Sequence, residues 1–141
     1  MLSWLFPKIR EIRNRIGQLH FRRYRIVETP FFNVYLHRIF KKDEDYHLHN
    51  HPWNFIRINI WGSYTELIHD IKAGRSDSCW RKMMWYNHKT FHKILELRSK
   101  SVTSLVFTGP RSHEWGYLMK DRSVMSNSDY RKLSKFERKK L

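Results

Sequence analysis

One cysteine, thirteen acidic residues and no long apolar run set the first limits on this 141-residue chain. Cys79 stands alone, so an internal disulfide and a cysteine-built zinc finger are both excluded. A lone thiol also fits a reducing compartment. No stretch reaches the ~18 consecutive apolar residues that a membrane-spanning helix needs. The opening residues place Leu2, Trp4, Leu5 and Phe6 ahead of the first charge, the reverse of a secretory signal, which predicts a cytoplasmic protein. Acidic residues are scarce beside 28 Lys and Arg, giving a formal charge of +15. The excess lies at both ends, from Lys8 to Arg25 and from Arg131 to Lys140. Such flanks suit polyanions, whether nucleic acid, acidic lipid or phosphorylated small molecules, and equally suit a solvated basic tail.

The length suits one domain with one core. Leu2, Leu5, Ile9, Ile12 and Ile16 recur at spacings of three and four, the stripe of an amphipathic helix that ends at Gly17 and is secure over 8–16, past Pro7. Three readings compete for this helix with its opposite, basic face: packing on the outside of the domain, lying at a membrane interface, or contacting nucleic acid; packing is the default, since amphipathic stripes usually face a core. After Gly17 the texture changes to short runs of β-branched and aromatic residues: 24–28, 32–40, 55–61, 64–71, 79–86, 91–97, 102–107 and 115–119. Turn residues separate them, as at Thr29-Pro30, Gly62-Ser63, Ala73-Gly74 and Gly109-Pro110. Many short strands at nearly even spacing predict an all-β sandwich or closed barrel. The expected plan is a basic helix over 1–22, a barrel over 23–120 and a basic tail over 121–141, forming a short helix or staying loose.

The densest chemistry is Tyr46-His47-Leu48-His49-Asn50-His51-Pro52-Trp53. In an extended strand His47, His49 and His51 project to one side, and imidazole is the commonest ligand for Zn, Fe, Ni and Cu. Pro52 cannot donate to a sheet ladder, so the run belongs near a strand end. His88 and His92 can supply the converging group; with His92 inward beside His49 and His51, three imidazoles cap one face of a metal and leave positions open. The scattered His20, His37, His69 and His113 read as surface or hydrogen-bonded residues.

His-x-His-Pro-Trp, followed by Ile60-Trp61-Gly62-Ser63-Tyr64-Thr65-Glu66, Phe91-His92-Lys93-Ile94, Leu105 to Arg111 and Trp115-Gly116-Tyr117, resembles the small cupin-like proteins of bacteria and their phages over roughly 33–118. The resemblance implies a single double-stranded β-helix, or jelly-roll barrel. It implies His49 and His51 as the first-motif pair, judged by the distance to Gly62, and His92 as the second-motif histidine. The motif's glutamate would fall near Phe55, which cannot ligate, so the site resembles the three-histidine variety. Cupins span dioxygenases, isomerases, epimerases, lyases, sugar-binding modules and storage proteins, so fold alone does not give activity.

The leading expectation is a metal-dependent enzyme of dioxygenase or isomerase type, with His49, His51 and His92 holding Fe(II) or else Mn, Ni or Zn. Its substrate would be an anionic small molecule or nucleotide. His47 would orient a ligand or exchange a proton, Glu66 would join the chemistry, and Arg57, Tyr64 and Arg111 would hold substrate. Phe55, Arg57 and Asn59 share one strand face and Ile56, Ile58 and Ile60 the other, so the isoleucines should pack against apolar neighbours. The alternative is a barrel without catalysis that binds nucleic acid or a protein partner. Aromatic residues make up 16% of the chain and interleave with cations at Phe21-Arg22-Arg23-Tyr24-Arg25, which nominates Arg22, Arg23 and Arg25 for nucleic acid. In the same segment Tyr24 and Ile26 read as the buried face of a half-buried strand. A homodimer through a β surface is also expected from the resemblance.

Overall fold

The computed structural model describes residues 8–14, 16–71, 75–79 and 81–141. Two six-stranded antiparallel sheets face each other. The first has the order β1-β2-β3-β10-β5-β8, and the second β12-β11-β4-β9-β6-β7. The first sheet is built from β1 (Ile9–Arg13), β2 (Leu19–Glu28), β3 (Asn33–Ile39), β5 (Phe55–Trp61), β8 (Met83–Tyr86) and β10 (Val102–Thr108). The second uses β4 (Leu48–His49), β6 (Tyr64–Asp70), β7 (Arg75–Cys79), β9 (Thr90–Leu97), β11 (Gly116–Leu118) and β12 (Val124–Ser126). Between β3 and β11 the chain crosses repeatedly from one sheet to the other, and the core forms where both inner faces meet. Ile39 and Val102 of the first sheet pack on Tyr64 and Ile94 of the second.

The N-terminal helix is overturned. Ile9–Arg13 is a strand paired with β2, Ile9 opposite Tyr24 and Ile12 opposite Phe21. Gly17, at φ +80, sits in the tight connection that a helix reading takes for a C-terminal stop. Isoleucines three apart fit a helical stripe and an irregular edge strand equally, and the ladder with β2 decides between them. Leu2 and Leu5 of the stripe, and the turn at Ala73-Gly74, lie outside the described residues. The boundary set at residues 22 and 23 falls inside β2.

The run 79–86 also divides. Cys79 closes β7, while Met83–Tyr86 crosses to the other sheet as β8, which pairs with β5. The C-terminal segment forms α1 (Asn127–Lys132) and α2 (Lys135–Lys140), capped by Ser126 and Ser134, the second with a full capping box to Glu137. Among the described residues no helix is long and apolar enough to cross a membrane.

Strand parity differs from expectation in β2. Phe21 and Arg23 face the space between the sheets, while Ile26 is 53% exposed. A register shift between Arg25 and Val27 separates the two halves of the strand. In β5 the inner face carries Phe55, Arg57 and Asn59, all buried, as their shared parity requires. The isoleucines turn outward, where Ile56 lies opposite Phe107 and Trp85, and Ile58 opposite Leu105 and Met83. The outer face of the first sheet is thus apolar over four strands, with Ile60, Trp61, Met83, Trp85 and Phe107 all exposed.

Candidate metal centre

His49 and His92 are directly opposed across the β4–β9 pair, with ring centroids 4.8 Å apart. His51 follows β4 and swings its ring to 5.1 Å from His49 and 5.2 Å from His92. One ligating atom of each lies within 4.8 Å of the others. His51 Nε2 and His92 Nε2 approach to 3.0 Å. Two metal–nitrogen bonds of about 2.1 Å at a right angle span about 3.0 Å, so this pair matches adjacent corners of an octahedron.

The protonation pattern fits a cation. Burial first, then the neighbouring His92, presses the His49 pKa down to about 4. Burial and the proximity of His49 hold His51 well below the ordinary imidazole value. Both rings are therefore neutral near pH 7 and offer lone pairs. His49 Nδ1 is buried with no hydrogen-bond partner among the described residues, which leaves it available to an ion.

Behind His92 stands Glu66, fully buried on β6, whose Oε2 accepts from His92 Nδ1–H at 3.1 Å. Alternation along β6 turns Tyr64, Glu66 and Ile68 inward together. The other oxygen, Oε1, accepts from Arg57 Nη2 and from the Tyr86 hydroxyl, each at 2.6 Å. Burial alone would raise the Glu66 pKa, but the hydrogen bond from His92 and the charge of Arg57 outweigh it and hold it below the usual carboxylate value. Burial pushes the Tyr86 hydroxyl well above its ordinary value, so it remains a donor. An ionised Glu66 can only accept, which fixes the His92 proton on Nδ1 and leaves Nε2 free to ligate.

The rings around His51 are apolar. Phe55 meets it edge-on at 4.9 Å, and Trp53 and Trp115 stack on it with centroids at 6.4 Å. His113 Nε2 bonds the His51 carbonyl, fixing the segment after β4. A cavity of about 110 Å³ opens from the triad between the sheets. Its walls also carry Arg23, His37, His20 and Asp43.

The predicted residues thus separate. His49, His51, His92 and Glu66 come together, with Arg57 one bond further out and Tyr64 beneath its guanidinium at 4.9 Å. Arg57 and Tyr64 both line the cavity. His47 does not share a face with His49. It precedes the two-residue β4 and turns to Tyr130, whose hydroxyl lies 3.1 Å from Nδ1. Extended alternation cannot be projected through a strand that short. Arg111 is exposed and His88 is exposed against His113. Arg22 pairs with Glu11 and Arg25 with Glu28 on the sheet surface, while Arg23 turns inward. Sequence reasoning missed Tyr86, Asp43, His20 and His37. Tyr86 was legible as an inward aromatic on its strand; the others depend on cross-strand register.

No protein-family model matches the chain, and no curated protein matches it. Among solved structures the fold is similar to Fe(II) HppE, with TM-score 0.57 and 12% identity over 72% of this chain and 56% of that one. It is similar to hydroxypropylphosphonic acid epoxidase from S. wedmorenis at TM-score 0.51 and 12% identity, over 72% and 55% of the two chains. It is similar to an oxalate decarboxylase at TM-score 0.62 and 16% identity, over 96% of this chain and 34% of that one. The chain therefore spans about half the length of the epoxidase and a third of the decarboxylase. These likenesses define the class by fold: a cupin-like jelly-roll protein carrying a three-histidine cluster.

Proposed function

We propose that this protein is a metal-dependent cupin enzyme, a single barrel in which His49, His51 and His92 hold Fe(II), with Mn, Ni and Zn as the other ions this donor set accepts. The carrying observation is the Glu66–His92 bond, because a buried carboxylate that fixes an imidazole tautomer is the usual support of a metal-ligating histidine. The Fe(II) of the HppE crystal structure makes iron the first ion to test. Held by these three imidazoles, a ferrous ion would supply dioxygenase-type chemistry on an anionic substrate. The chain's own groups do the rest. Arg57 and Tyr86 keep Glu66 ionised, Glu66 orients His92, and Phe55, Trp53 and Trp115 keep water from the His51 side. Arg57 is on this reading a positioning residue, since its charge is matched by Glu66.

Elemental analysis of the purified protein beside a folded His49→Ala/His92→Ala variant tests the reading. Near-stoichiometric metal is expected in the parent and none in the variant. A parent that stays metal-free after anaerobic reconstitution with Fe(II), Mn and Zn overturns it. Oxygen consumption with small anions is the following assay.

The charge of +15, with Arg131, Lys132, Lys135, Lys139 and Lys140 exposed on α1 and α2, supports a second reading in which the exterior also binds nucleic acid. Oligonucleotide binding with a steep salt dependence would establish it. The apolar outer face of the first sheet supports a homodimer. It carries no charge in its two central rows, and Ile60, Trp61, Met83, Trp85 and Phe107 are all exposed on it.

A further inference from the structure

Arg23 is the one cation of the cavity wall that the described residues leave without a carboxylate. Arg57 is matched by Glu66. Arg23 instead donates from Nε to His37 Nε2 at 3.0 Å and lies 4.8 Å over the Tyr35 ring. Burial lowers the His37 pKa to about 3, so the ring is neutral and acts as the acceptor. It holds the guanidinium by its Nε edge and leaves the two Nη groups, the geometry of a fork that grips two oxygens at once. A half-buried cation over Tyr35 and Phe21 without an acidic partner favours a ligand that brings the opposite charge.

We propose that Arg23, oriented by His37, is the carboxylate subsite of the cavity, and that the substrate is a small organic monocarboxylate held there with its remainder against the histidine triad. In the metal-free cavity the charge inventory selects a monoanion. Asp43 lies on the same cavity wall, beside His20 Nε2 at 3.5 Å. Burial alone would raise the Asp43 pKa, but the hydrogen bonds from His20 and the Ile94 backbone N–H, with the neighbouring imidazoles, together outweigh it and hold it down to about 2, so a fixed negative charge opposes a dianion. The roughly 110 Å³ of space accommodates a carboxylate with a few carbon atoms beyond it.

The inference deepens the metal-enzyme reading, and its test is independent of metal. Metal-free protein is titrated with propionate and, separately, with methylphosphonate, following the Arg23 Nε–H and Trp53 indole N–H resonances by NMR. Saturable shifts with propionate are expected, with affinity at least tenfold lower in Arg23→Met and partly kept in Arg23→Lys. The outward-facing Arg38→Met should bind as the parent does. Equal affinity in parent and Arg23→Met, or no saturable shift in the parent, overturns the subsite; tighter binding of methylphosphonate overturns the monocarboxylate. If Arg23→Met does not fold, Arg23→Lys and the Arg23 Nε–H signal of the parent decide alone. Zinc uptake by the same samples is scored separately, so loss of the metal reading and loss of the subsite are told apart.

Discussion

Glu66 is the residue on which the site turns. Replacing it with Gln keeps the shape but turns one of its two acceptor oxygens into a donor, so the bonds to Arg57 and Tyr86 and the bond that fixes His92 cannot all be kept, and the charge opposite Arg57 is lost. Metal affinity should fall about 10–100-fold, read by competition with a chelating dye. The same variant leaves Arg57 buried without a counter-charge, and urea unfolding should show a loss of about 3–5 kcal/mol. Titration gives a further prediction. Burial presses His49 and His37 to about 4 and about 3, against about 6.5 in an unfolded chain. Between these values the unfolded chain takes up protons that the folded chain refuses. Stability of the metal-free protein should therefore fall as pH drops from 6.5 toward 4, and the fall should be shallower in His37→Phe. Asp43, with a pKa lowered to about 2, works at lower pH: its contribution is present above 3.8 and lost as pH falls through about 2. The triad itself was legible because few pressures other than ligation put alternating histidines before a proline and another histidine on a later strand. Arg23 was not, because its inward parity is set by its register with His37, which no local pattern records.

Among the elements, the strands with clean alternation, β5, β6, β9 and β10, were readable from sequence to within a residue or two. β1 was not, since the choice between helix and strand is made by pairing with β2. The C-terminal helices show what a polar composition conceals. α1 delivers Tyr130, fully buried, to stack on Tyr117 at 3.8 Å, and Arg138 of α2 covers the opposite side at 4.5 Å. Together with Met119 they close the end of the second sheet where His47 lies. Tyr130→Ala should cost about 3–5 kcal/mol in urea unfolding, as truncation of a buried ring does, while leaving metal content per folded molecule unchanged.

At the scale of the molecule, a strongly cationic surface coexists with one apolar sheet face. Trp85→Arg should leave the monomer folded and shift it from dimer to monomer in sedimentation velocity, since a charge there cannot be desolvated against its symmetry mate. A parent that sediments as a monomer at high concentration would sink the dimer. The overall architecture was legible from strand count and turn spacing; the order of strands within each sheet and this outward face emerge only from the pairing.

The bonds that define the centre also carry a kinetic meaning. Glu66 reaches 9 residues back to Arg57, 20 forward to Tyr86 and 26 to His92, and His51 reaches 41 to His92. The triad joins β4 to β9 within the second sheet across about forty residues, and the Arg57 and Tyr86 bonds to Glu66 close only when the two sheets meet, so the complete centre is expected to form late in folding. An ion bound there would slow escape from the native state while leaving the speed of reaching it almost untouched.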